Sequence, residues 1–162
     1  MGETQHMTEG GDAPIHLFYS FSHKNEELRN QLETHLALLR RQGFIHQWHD
    51  RRIGAGQEWA EAIDVNLESA QIILLLVSAD FIASDYCYDK EMARAIERHE
   101  AGEARVIPVI LRAVDWKDAP FAKLQAHPKD GEPVTAWADR DAAWLDVAQG
   151  IRKAVEALRT NP

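Results

Sequence analysis

The sequence predicts a doubly wound α/β domain, a parallel sheet with helices on both faces. The run Gln71-Ile72-Ile73-Leu74-Leu75-Leu76-Val77 is apolar on both faces and about as long as a fully buried parallel strand. Strand-like and amphipathic segments alternate along the whole chain, which requires crossover connections. The 162 residues, 45% hydrophobic against 27% charged, suit one domain with one core. In an open sheet of this kind ligands bind beyond the carboxyl ends of the strands. The stretch Ser84 to Glu100 follows the central strand directly, so Tyr86, Cys87, Asp89 and Glu91 arrive where chemistry is expected.

Each element follows from its own pattern. Met1 to Ala13 ends in Gly-Gly-Asp-Ala and reads as a flexible lead-in, leaving residues 14–159 as the domain. Ile15 to Phe21 is a β-rich run, and Ser22-His23-Lys24-Asn25 is a polar break with helix-capping residues. Leu28, Leu32, Leu36 and Leu39 recur at three and four, predicting one helix from Glu26 to near Gly43. Phe44 to Trp48 returns to strand. His49 to Gln57 contains two glycines and clustered charges. That loop is either a solvated turn with an Asp–Arg pair or a recognition loop whose Arg51 or Arg52 meets a phosphate or an acidic partner.

Glu58 to Ser69, with Trp59, Ile63 and Leu67 on one side, is the second crossover helix. After the central strand, Ser84-Asp85 caps a further helix, on which Cys87, Glu91 and Arg94 share one stripe while Met92, Ala95 and Ile96 face the core. Arg105 to Leu111 is the fourth strand, with Pro108 an irregularity in it. Ala119-Pro120, His127-Pro128, Asp130-Gly131 and Glu132-Pro133 mark a long structured connection. Val134 to Trp137 is expected as a short fifth strand at an edge, and Asp139 to Leu158 as the last helix, striped by Trp144, Val147, Ile151, Ala154 and Leu158.

Composition removes several function classes. A formal net charge of −8 argues against a general phosphate-backbone binder, so no nucleic-acid partner is expected. The single cysteine, Cys87, excludes an internal disulfide and a cysteine-based zinc site. No apolar run approaches the roughly 20 residues of a membrane span, and the start lacks the apolar core of a signal peptide. A soluble, cytoplasmic protein without a membrane partner is therefore expected.

The eight histidines are scattered, so no metal site is expected. Gly-x-Ser-x-Gly, Gly-x-Gly-x-x-Gly and Walker patterns do not occur. A receiver domain would need an acidic pair after strand one, where this chain has Ser20-Phe21-Ser22. What remains is Glu91 on a helix at the strand edge, with Tyr19, Phe21, Trp48 and Tyr86 expected nearby. Aromatic rings beside a carboxylate suit a nucleoside, stacking on the base while the carboxylate bonds ribose or steadies an oxocarbenium-like centre. The plainer alternative is a set of core aromatics and a solvated helix glutamate.

Three blocks together resemble the Toll/interleukin-1 receptor (TIR) domain, particularly its bacterial members. Phe18-Tyr19-Ser20-Phe21-Ser22 is similar to the family's first box, and Asp50-Arg51-Arg52-Ile53-Gly54-Ala55-Gly56 to its loop after strand two. Ser84-Asp85-Tyr86-Cys87 through Glu91 is similar to its Trp-Cys segment with the helix glutamate. The resemblance covers about residues 15–158. It implies a flavodoxin-like three-layer sandwich with five parallel strands in order 2-1-3-4-5.

It also implies a choice between non-catalytic scaffolds, which signal through TIR–TIR contacts, and enzymes that cleave the nicotinamide–ribose bond of NAD+. NAD+ would then be substrate rather than cofactor. By position the required glutamate is Glu91. The nucleotide pocket carries over to Phe21, Ser22, His23, Trp48 and Asp50, with Tyr86 and Cys87 beside the glutamate, and the self-association loop to Arg51, Arg52, Ile53 and Gly54. Tyr86 stands where the family usually has Trp, and Glu91 lies five residues beyond it where four is common. Gly54-Ala55-Gly56 occupies a place where many receptor-type members carry a proline. The enzymatic reading is preferred, with a nucleoside-handling transferase as a third possibility.

Overall fold

The structure is a computed structural model that describes residues 13–47 and 65–160. Four strands, β1 (Ile15–Ser20), β2 (Ile45–Gln47), β3 (Ile72–Val77) and β4 (Arg105–Ile110), form one sheet in the order β2-β1-β3-β4. All three pairings are parallel, with Tyr19 opposite Leu74 and Leu74 opposite Ile107. Every residue of β3 is buried, because helices cover both faces. Ile72, Leu74 and Leu76 enter one core with Leu28, Leu32, Trp144 and Ile151, whereas Ile73, Leu75 and Val77 enter a second with Leu67, Phe81, Met92 and Ile96. The three-layer, flavodoxin-like arrangement expected from the sequence is thus present.

The first helical stripe folds as two helices, α1 (Glu26–His35) and α2 (Ala37–Arg41). The break falls at Leu36, whose ψ of 6° tightens the turn where the leucine spacing changes from four to three. All four leucines of the stripe are nevertheless buried. Gly43 ends α2 at φ 77°, with Gly43 N bonded to Arg40 O and Phe44 N to Leu39 O, a Schellman closure that needs a left-handed residue. Of the second crossover helix, residues 65–69 are described and helical (α3). Its earlier part and the whole of His49 to Gln57 lie outside the described residues.

Beyond β3 come α4 (Ala79–Ala83), a π-helix over Asp85–Met92, α5 (Ala93–Glu100) and the long α6 (Arg140–Thr160). Trp144 anchors α6 to α1, its indole nitrogen donating to Gln31 Oε1 at 3.0 Å. Among the described residues no helix is long and apolar enough to cross a membrane.

The expected fifth strand is corrected: Val134–Ala136 is a 3-10 turn, and the described sheet has four strands. His127 occupies the place beside β4 with a single bridge, donating to Pro108 O and accepting from Ile110 N. The ladder stops because the next N–H due to face β4, that of Lys129, is given to Asp146 Oδ1 at 3.1 Å as the chain enters a 3-10 turn at Lys129–Gly131. Val134 still reaches the core, fully buried against the α6 side. Pro108 does not break β4. Arg105 N and Leu111 N point to β3, so by alternation the missing N–H of Pro108 faces the outer edge. On that same edge Val106 N donates to His99 Nδ1 at 3.1 Å.

Candidate active site

The strand order makes β1 and β3 the topological switch point, since the chain leaves β1 toward β2 on one side and β3 continues to β4 on the other. Three serines organise the loops above it. Ser22 caps the 3-10 turn His23–Asn25 by accepting from Lys24 N, Ser78 caps α4 by accepting from Phe81 N, and Ser84 caps the π-helix by accepting from Cys87 N. The loop after β1, the loop after β3 and the π-helix are therefore each held at their first turn.

Glu91 lies on the π-helix and is only 5% exposed. Its Oε1 accepts a 2.7 Å hydrogen bond from the hydroxyl of Ser20, the fully buried last residue of β1. A carboxylate is thus brought to the carboxyl end of the strand at the switch point, fixed by a charge-assisted bond. The stripe expected on this helix is corrected: Cys87 and Glu91 are buried, but Arg94 is half-exposed and pairs with Glu68 on α3 and with Glu97. The i→i+5 bonding of a π-helix adds a residue per turn, which displaces faces read at a period of 3.6. The same geometry accounts for the five-residue interval between Tyr86 and Glu91, since the additional residue is taken up in the wider turn.

Cys87 joins the π-helix to the loop after β1, its thiol donating to Phe21 O at 3.3 Å. Burial pushes this thiol up to about 11; the hydrogen bond with Ser84 opposes that shift, and the charge of Glu91 adds to it. Cys87 is accordingly expected to react slowly as a nucleophile. Iodoacetamide at pH 8 is expected to alkylate it about a hundredfold or more slowly in the folded than in the unfolded chain, because the thiolate fraction falls about tenfold per unit. Mass spectrometry of the alkylated protein checks this, and equal rates in both states would contradict it.

Phe21 is half-buried, edge-on to His23 at 6.1 Å, and its ring lies under the Arg29 guanidinium at 5.0 Å. Tyr86 packs on the second core. Of the expected site residues, the structure therefore gathers Phe21, Ser22, His23, Tyr86, Cys87 and Glu91 around the ends of β1 and β3. Trp48, Asp50, Arg51, Arg52, Ile53 and Gly54 lie outside the described residues. Ser20 was not among the expected residues, although a hydroxyl ending a run of buried apolar positions was a signal for it. Arg29, 3% exposed and paired with Glu33 at 3.3 Å, was also missed, because its place beside Leu28 in a charged helix gives no sign of burial.

Comparison with known proteins gives a consistent result. The family model described as the TIR domain matches residues 17–158. The uncharacterized protein y4lF of Sinorhizobium fredii is 62% identical over 138 residues, covering 85% of this chain and 43% of that protein. The chain thus spans less than half of that relative's length. Among solved structures, the TIR domain of the Toll-related receptor TRR-2 from Hydra magnipapillata aligns with a TM-score of 0.56 at 20% identity, covering 84% of this chain and 97% of that one. The TIR domains of the activated Roq1 resistosome, which recognises the pathogen effector XopQ, align at 0.51 and 18% identity, over 91% and 85%. At these identities both structures speak to the fold alone.

Proposed function

The chain belongs to the TIR domain family, and on that premise we propose that it is an NAD+ glycohydrolase working in bacterial immune signalling. It cleaves the bond between nicotinamide and ribose, giving nicotinamide and ADP-ribose or a cyclic isomer. The observation that carries this reading is Glu91, a carboxylate held by Ser20 at the switch point of the sheet. As the C–N bond breaks, its electron pair leaves with nicotinamide and the anomeric carbon becomes electron-poor. A fixed negative charge nearby favours that state over the ground state. Water then adds to the carbon and releases a proton; in the cyclic product a ring nitrogen of the adenine takes the place of water.

Activity is expected to depend on self-association, as TIR domains act through contacts with one another. A cytoplasmic location, where NAD+ is available, goes with this reading. A second reading, the non-catalytic scaffold, is favoured by one observation: Glu91 is 5% exposed, as a structural tie would be.

Incubation of concentrated protein with NAD+, with a crowding agent or a fused oligomeriser, separates the two. Chromatography is expected to show nicotinamide and an ADP-ribose product accumulating together. Intact NAD+ from a protein that still binds other TIR domains would leave the scaffold.

A further inference from the structure

We propose that Asn25 contacts the substrate directly, its side-chain amide donating to a hydroxyl or phosphate oxygen of the dinucleotide; this rests on the NAD+ reading above. Asn25 precedes α1 in the N-cap position, where an asparagine oxygen ordinarily accepts from the first N–H groups of its own helix. Here that cap bond is absent among the described residues. Oδ1 instead accepts from the hydroxyl of Ser78, 53 residues away at the end of β3. The separation of 2.5 Å is that of an O–H···O bond and too short for N–H···O, so the oxygen, not the nitrogen, faces Ser78.

Two consequences follow. The side chain ties the loop after β1 to the loop after β3, the two loops that flank the switch point beyond which ligands of such sheets bind. The Nδ2 group keeps two N–H donors in a residue only 4% exposed, with no hydrogen bond to them among the described residues. The nitrogen keeps a trace of exposure and so is open to an arriving oxygen. A nearly buried amide that forgoes its helix cap and retains two free donors is the arrangement of a preoriented ligand contact. Ser78 is the positioning residue, fixing which end of the amide is presented.

Initial-rate kinetics with NAD+ under assembling conditions test this with three variants. Asn25→Ala is expected to raise KM about tenfold and to leave kcat within about twofold, as loss of an interaction made equally in ground and transition states does. Asn25→Asp keeps the acceptor for Ser78 and removes the donors, so it should raise KM at least as much even if the alanine variant folds poorly. Ser78→Ala breaks the same loop tie and also uncaps α4, so it should lower the melting temperature more than Asn25→Asp does while raising KM less. Stability and KM would then rank the variants in opposite orders. An active parent whose KM is unchanged by Asn25→Ala and Asn25→Asp, or shifted equally by Ser78→Ala, overturns the proposal alone. A parent that neither cleaves nor binds NAD+ overturns the NAD+ reading and this proposal with it.

Discussion

Glu91→Gln is expected to abolish nicotinamide release while leaving the fold intact. Removing one preorganised electrostatic group from a transition state typically costs about 3–4 kcal/mol, or roughly a hundred- to thousandfold in turnover. The amide is nearly isosteric and its oxygen still accepts from the Ser20 hydroxyl, so that donor is not orphaned. Glu91 is buried rather than the solvated helix glutamate of the plainer alternative, and this changes what the stability measurement means. Burying a carboxylate is costly, so neutralising it should leave the melting temperature within about 1 kcal/mol of the parent or raise it. Nicotinamide release and thermal unfolding, measured on the same preparations under assembling conditions, check both halves. Equal cleavage by parent and variant would remove Glu91 from the chemistry. A large fall in melting temperature would make Glu91 a structural tie.

The second large effect is on stability, at Arg98. This guanidinium is 6% exposed and donates to Leu67 O at 2.7 Å, Ala70 O at 2.8 Å and Glu103 O at 3.1 Å, with Glu103 Oε1 at 3.4 Å. It closes the last carbonyls of α3 and the turn after α5, adding a positive charge where the α3 dipole is negative. Arg98→Ala leaves these carbonyls without a partner, and about 3–5 kcal/mol is the expected cost. At roughly 2–4 °C per kcal/mol for a domain of this size, the melting temperature should fall by about 10 °C. Arg98→Lys should recover little, because an ammonium cannot reproduce the planar fork. A loss below about 1 kcal/mol for the alanine variant would show that water replaces the guanidinium without difficulty.

What could be read from the sequence follows from the range of the interactions involved. β3 was legible because six consecutive buried apolar residues have few other uses, and the alternation of elements then fixed the layers. Glu91 was legible through its block and its place after that strand. Its anchor was less so, since Ser20 is 71 residues away and no local pattern reports such a pairing. The Asn25–Ser78 bond was hidden for the same reason, and more deeply, because Asn25 reads locally as a cap for its own helix. The π-helix was missed because periodicity is judged against 3.6, and a local insertion looks like noise. The fifth strand failed because Val134–Ala136 closes its hydrogen bonds locally, Ala136 N to Pro133 O and Trp137 N to Val134 O, and a short apolar run does not distinguish such a turn from a strand.

The outer edge of β4 bears on how copies of this domain can associate. Its three outward N–H positions are all closed: Val106 N is taken by His99, Pro108 has none, and Ile110 N is taken by the backbone of His127. An arriving extended chain would find no donor along this margin, and hydrogen-bonded growth from sheet to sheet, the route to amyloid-like polymers, is blocked there. Copies of this domain brought to high local concentration can therefore meet at this margin through side chains but not through a shared backbone ladder.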